Sequence, residues 1–273
     1  MAREGFDFGA EVAAAGGKVF KNPEPGAHDS LITAIVHVGS FADVYVTGQK
    51  KEPKPPCNFV LVQTTLFNEN DKNDDGSRIQ KWQPMPLKFG DKSNLTKFMQ
   101  AVDPNQKLSG FDEVIGTAVT TDWKANESKG KNEDGTWKVV NLNGYAGMTE
   151  RTAKLVKADA EAEELHIIGH VKFQDITLEI LEEIPGYLIS QYFLSEGKNG
   201  GKNESYAGSA VEAIINAKRA EDPTWKVKQE SDEDATTGQA GDEQRAGSTA
   251  QQSSVPEAQV QDAPADLDNT QEF

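Results

Sequence analysis

Trp82 stands in a segment, Arg78 to Phe89 (RIQKWQPMPLKF), that reads as a strand. Period-two alternation puts it on one face with Arg78, Gln80 and Lys88, and puts Ile79, Met85, Leu87 and Phe89 on the other. An indole between two cations on an exposed strand face suits stacking on a nucleobase with phosphate contacts beside it. The alternative is a Trp82 that covers a sheet edge or packs beneath later helices. Phe59, Phe67, Trp123, Trp137 and Tyr145 widen the aromatic pool. Lys50, Lys51 and Lys54 in one polar loop, with Lys124, Lys129 and Lys131 in another, have the charge to track a sugar-phosphate backbone. For each lysine the competing reading is a solvated loop.

Other chemistry finds less support. His166 and His170 are spaced i, i+4 near Glu163 and Glu164, but Gly169 interrupts the helix and no third ligand is implied. Asp74-Asp75 and Glu182-Glu183 read as a turn and a solvated helix face. There is no P-loop, no G-x-S-x-G and no H-E-x-x-H. An enzyme is not expected, and neither is a cofactor or a metal. Cys57 is the only cysteine, so one chain forms neither a disulfide nor a cysteine-based zinc site. No apolar window approaches a membrane span and the N-terminus does not resemble a signal peptide, so a soluble, intracellular protein with no membrane partner is expected.

The formal net charge is −16, which argues at first against a nucleic-acid binder. Its distribution overturns that. Residues 17 to 157 carry 19 Lys and Arg against 17 Asp and Glu, whereas residues 230 to 273 carry eleven acidic groups against Arg245 alone. That last segment holds only Val255, Val260, Leu267 and Phe273 as large apolar residues, too few to offset the entropy of ordering, so it reads as a disordered acidic tail. Its tip, with Asp266, Asp268, Glu272 and Phe273, is a small hydrophobic handle beside negative charge, suited to a partner pocket with an apolar floor and a basic rim.

Positioning these residues requires a β domain. Asp29 to Val38, Asn58 to Phe67, Arg78 to Phe89, Gly116 to Trp123 and Thr136 to Gly144 read as five strands, with Pro84 and Pro86 confining the third to an edge. Gln49 to Pro56 reads as an extended loop. Ser93 caps an amphipathic helix with Leu95, Phe98, Met99 and Val102 on its apolar stripe, and Pro104 ends it. The order β-β-β-α-β-β is that of a five-stranded OB-fold barrel. Residues 153 to 229 are helical in pattern and too apolar between Ile176 and Leu194 to face solvent. The expected class is therefore mainly β with accessory helices: a flexible arm at 1–22, an OB-fold barrel at 23–152, a helical region at 153–229 and the tail at 230–273.

Several stretches resemble the single-stranded DNA-binding proteins of bacteriophages that have an OB domain and an acidic C-terminal tail. They are Pro25-Gly-Ala-His28 leading into Leu31 to Gly39, the strand Asn58 to Phe67, Lys92-Ser-Asn-Leu95, Phe111-Asp-Glu-Val-Ile-Gly116, and Leu181-Glu-Glu-Ile-Pro-Gly-Tyr-Leu-Ile189. The resemblance covers roughly residues 23 to 195 and the tail, although Asn269, Thr270 and Gln271 dilute the acidic tip. It implies a protein that coats single-stranded DNA during phage DNA replication, recombination and repair in the cytoplasm of an infected bacterium. It also implies that Phe273 recruits partners such as a DNA polymerase or helicase. Homo-oligomerisation is left open. The competing reading is an acidic assembly or adaptor protein whose barrel binds protein and whose tail is a spacer.

A coil of 44 residues reaches about 35 to 40 Å, enough to lie across a barrel face and compete with DNA for lysines. Deleting residues 230 to 273 is therefore expected to strengthen oligo(dT) binding at low salt, with the gain shrinking as salt rises. Isotherms of full-length and truncated protein at two salt concentrations check this, and weaker binding by the truncated protein would refute the competition.

Overall fold

The structure is a computed structural model that describes residues 21–47, 50–91, 93–132, 135–196 and 200–226. The arm before residue 21, the acidic tail, and with it Asp266, Asp268, Glu272 and Phe273, lie outside the described residues. All described residues belong to one compact unit.

Strand β1 (Gly26–Ala42) organises the sheet because both of its edges are paired. One edge runs antiparallel with β4 (Cys57–Leu66), from Ser30 opposite Leu66 to Phe41 opposite Cys57. The other edge is shared by three strands in turn: β6 (Ala118–Ala125) against Gly26 to Leu31, the short parallel β8 (Gly169–Val171) against Ala34 to Val36, and β9 (Lys202–Asn203) against Phe41 and Ala42. Register shifts after Ile32 and His37 let so long a strand bend. Gly39, at φ +94°, completes the second bulge, and a Cβ there would stand 2.6 Å from Ser205 Cβ. No other residue satisfies both demands.

The sheet continues outward to β5 (Gln80–Pro86) beside β4 and β7 (Val140–Gly147) beside β6, giving the order β5-β4-β1-β6-β7. The result is a mixed structure, mainly β with accessory helices. The expected closed barrel is not what forms: β5 and β7 share no ladder, and the sheet stays open between them. Pro84 and Pro86 supply the reason, since neither has an N–H to donate across the gap. A second correction concerns residues 49 to 56. Val44–Thr47 (β2) and Lys50–Pro53 (β3) pair as a separate hairpin, Tyr45 opposite Glu52, where the Lys- and Pro-rich sequence suggested a loop.

Both faces of the central strands are covered. On one, Ile32, Ile35, Val60, Val62 and Met85 meet Leu95, Phe98 and Val102 of helix α1 (Asn94–Val102), whose N-cap Ser93 accepts from the Thr96 amide. On the other, Ala34, Val36, Phe59, Leu61 and Trp82 lie under Leu181, Ile184, Leu188, Tyr192, Phe193, Val211 and Ile215 of the C-terminal helices. The region 153–226 is thus part of the same core as β1 and does not stand apart from it.

At the start of β1, buried His28 ties the strand to the loop after β4. Its Nδ1 lies 2.8 Å from both Asp71 oxygens and its Nε2 2.8 Å from the Glu24 carbonyl. A carboxylate and a carbonyl both accept, so the ring donates from both nitrogens as imidazolium. Burial alone would lower its pKa, but the Asp71 and Glu24 hydrogen bonds outweigh it and the net shift is upward. This contribution to stability is complete below the ordinary histidine value of about 6.5 and is lost as pH rises through the folded-state value. Urea midpoints measured between about pH 6 and 9 should fall with rising pH more steeply in wild type than in His28→Ala. Parallel slopes would remove His28 from the account.

Candidate nucleic-acid interface

The residues singled out in the sequence separate into two classes. Trp82, Phe59, Phe67 and Trp123 are buried, each 8 % exposed or less. The exposed strand face assigned to Trp82 is in fact covered by the C-terminal helices, and its indole packs among Phe59, Leu181, Ile184 and Leu188. Phe59 is edge-on to Phe41, and Trp123 donates from Nε1 to Thr121 Oγ1 at 2.9 Å. Arg78 is spent on a two-pronged bond to Glu163, 2.8 and 2.7 Å, and lies over the Phe67 ring. That bond also holds the Glu163 carboxyl below its usual pKa range.

The lysines stay at the surface in two groups that the register sets at the two ends of β1. Lys50, Lys51 and Lys54 belong to the hairpin that follows Ala42. Lys54 bonds Asp43 at 2.9 Å and sits over the half-exposed Tyr45 ring. Lys88 hydrogen-bonds Cys57 at the foot of this hairpin, and Phe89 next to it is 84 % exposed, although alternation assigned it to the core. Lys124, Lys129, Lys131 and Trp137 lie in or beside the β6–β7 connection, beyond the pairing of Trp123 with Gly26. Lys131 covers the half-buried Trp137 ring at 4.6 Å. His170 is not joined to His166. It pairs through Nε2 with His37 at 2.9 Å and through Nδ1 with Asp112 at 3.0 Å, and no group of three or more metal-ligating residues occurs among the described residues.

What sequence reasoning missed is the seam between β5 and β7. Where the ladder fails, two neighbouring cavities open, of about 90 and 330 Å³, both touching Gln83, Pro84 and Leu142. The smaller is walled by Lys81, Trp82, Trp123, Lys138, Asn141 and, from the helices, Tyr187 and Gln191. The larger lies against α1 and is walled by Asn94, Lys97, Gln100, Asn143 and Tyr145. Three lysines and a set of amides line the seam, and none of its lining residues is Asp or Glu. The edge assignment forced by Pro84 and Pro86 was the one available signal for it.

Lys81 is the most telling of the three. It is half-buried, its ammonium donates to Asn22 Oδ1 at 2.9 Å, and burial pushes its pKa down to about 8. Asn22 is itself fixed by donating to the Trp137 and Lys138 carbonyls, at 3.2 and 2.8 Å. A neutral amide does not offset the desolvation of a cation as a carboxylate would. The arrangement therefore costs stability and presents an uncompensated positive charge to the cavity.

Comparison with known proteins finds no matching family model, no similar curated protein and no similar solved structure. No described helix is long and apolar enough to cross a membrane.

A lysine with a depressed folded-state pKa opposes folding fully below that value, and the penalty is relieved as pH rises toward the unfolded value near 10.4. Lys81→Met should raise stability at pH 7 by about 1 to 3 kcal/mol, with the gain shrinking toward pH 10. Urea unfolding of both proteins at the two pH values checks this. A destabilised Lys81→Met would mean that the ammonium is well solvated or paired.

Proposed function

We propose that the chain binds single-stranded DNA along the β5–β7 seam, without catalysis, and serves a phage in DNA replication, recombination and repair within its bacterial host. The observation that carries this reading is a lysine-lined seam free of carboxylates in a chain of net charge −16. The seam's lining comes mostly from residues 17 to 157, where 19 basic and 17 acidic groups are nearly balanced, so three lysines with no carboxylate among them are a local sorting of charge. A narrow cleft walled by cations, amides and aromatic rings accepts a strand whose bases are exposed, and a duplex is too wide to enter it. The neighbour order β5-β4-β1-β6-β7 supports reading the sheet as an OB fold left open between its third and fifth strands. The outer face of β4 and β5, where such folds often bind oligonucleotides, is filled here by the protein's own helices. That leaves the seam and the loops. Tyr45 with Lys54, and Phe89 with Lys88, offer exposed rings beside cations at one end of β1 and replace Trp82 as candidates for face-on stacking. Recruitment of a polymerase or helicase through Asp266, Asp268, Glu272 and Phe273 follows from the resemblance of the tail.

Tryptophan fluorescence should respond to oligo(dT) and not to duplex of equal nucleotide content. Replacing Lys81, Lys97 and Lys138 together by Ala should weaken oligo(dT) binding and lower the slope of log K against log salt by about 2, at about 0.7 for each phosphate no longer neutralised. An unchanged slope with retained binding would move the interface to the hairpin and the β6–β7 loop. No binding by wild type would refute the reading and favour the adaptor alternative.

A further inference from the structure

Four buried polar side-chain atoms have no hydrogen-bond partner among the described residues, and two of them, Trp82 Nε1 and the Tyr145 hydroxyl, belong to residues that line the seam. An indole N–H only donates, and buried donors are almost always paired. Trp82 is 5 % exposed, and it shares the smaller cavity with Lys81 and Lys138. Trp123, in the same wall, is different: its N–H is already taken by Thr121. The Lys81 ammonium has three hydrogens, and Asn22 Oδ1 receives one. The residues that carry an unpaired donor, an ammonium without a carboxylate partner and a second lysine thus line one small space.

We propose that the narrow end of the seam is a seat for a single phosphate group, one of whose oxygens accepts from Trp82 Nε1–H while the Lys81 and Lys138 ammonium groups flank it. Trp82 then contacts its ligand by its edge, and its ring faces remain in the protein core. The phosphate of a single strand would anchor there, which rests on the function proposed above, although the chemistry is the same for a free phosphate. The depressed pKa of Lys81 is the expected state of such a seat before an anion arrives.

The test uses full-length protein with its four tryptophans labelled at the indole nitrogen. Trp82→Phe keeps a ring in the core, removes the N–H, and assigns the Trp82 resonance by its loss. Inorganic phosphate should move that resonance saturably and leave Trp123 in place, and Lys81→Met should weaken the response about tenfold. Oligo(dT) should move it likewise, and Trp82→Phe should bind oligo(dT) about tenfold more weakly. A Trp82 resonance indifferent to both probes, in a protein that still binds oligo(dT), would overturn the seat and leave the seam reading standing. A response to inorganic phosphate in a protein that does not bind oligo(dT) would uphold the seat and refute the single-strand reading. A response to phosphate alone, with oligo(dT) bound elsewhere, would assign the seat to a free phosphate.

Discussion

The structure depends on β1 being paired along both edges for most of its length. Seventeen residues of strand expose many backbone donors and acceptors, and burying its side chains on both faces leaves those groups no recourse to water. One partner, β4, satisfies one edge. The other needs three partners from distant parts of the sequence, and this draws residues 169–171 and 202–203 onto the sheet. The covering of Phe59, Leu61 and Trp82 follows, because the helices that bury them are fixed by the strands at their ends.

The same economy of hydrogen bonds explains where the sheet stops. Among the strands of the main sheet, β5 is the one that contains prolines, Pro84 within it and Pro86 at its end, and its outer edge faces β7 across a cleft. At its narrow end, where two strand edges and the C-terminal helices meet, the cleft half-buries Lys81 without being filled. Lys81 there costs more than a lysine on an open loop. The electrostatic contrast between this seam and the rest of an acidic chain is therefore a local property that net charge conceals.

Much of this was legible in the sequence, and the gaps have identifiable physical causes. The five main strands, helix α1 and the dense apolar helices appeared from periodicity and caps. The face of Trp82 was misread because β5 does not follow the rule of one wet face: the helices cover the side that alternation assigned to solvent. Phe89 was misread in the opposite sense, because the strand ends at Pro86 and alternation no longer applies three residues later. The hairpin was hidden by Lys50, Lys51 and Pro53 on β3, although Val44, Tyr45, Val46 and Thr47 are strong β formers. Lys81 carried no sign in its neighbours that it would be enclosed. Its environment is made by Asn22 and by the β6–β7 connection, 59 residues away in one direction and more than 50 in the other.

The approach of Ser205 to Gly39 also bears on how the chain reaches this state. Ser205 Oγ accepts from the Ser40 amide, and Asn203 donates its side-chain amide to the Val38 carbonyl, contacts that span 165 positions of sequence. Such long closures form late, after the entropy of the intervening chain has been overcome, and they slow folding. During synthesis, a ribosome that has released only the first 150 residues holds a sheet whose Phe59, Leu61 and Trp82 face has nothing above it. Until the last helices emerge, that face is an adhesive surface, and the nascent chain's exposure to aggregation is set by the time needed to translate the segment that covers it.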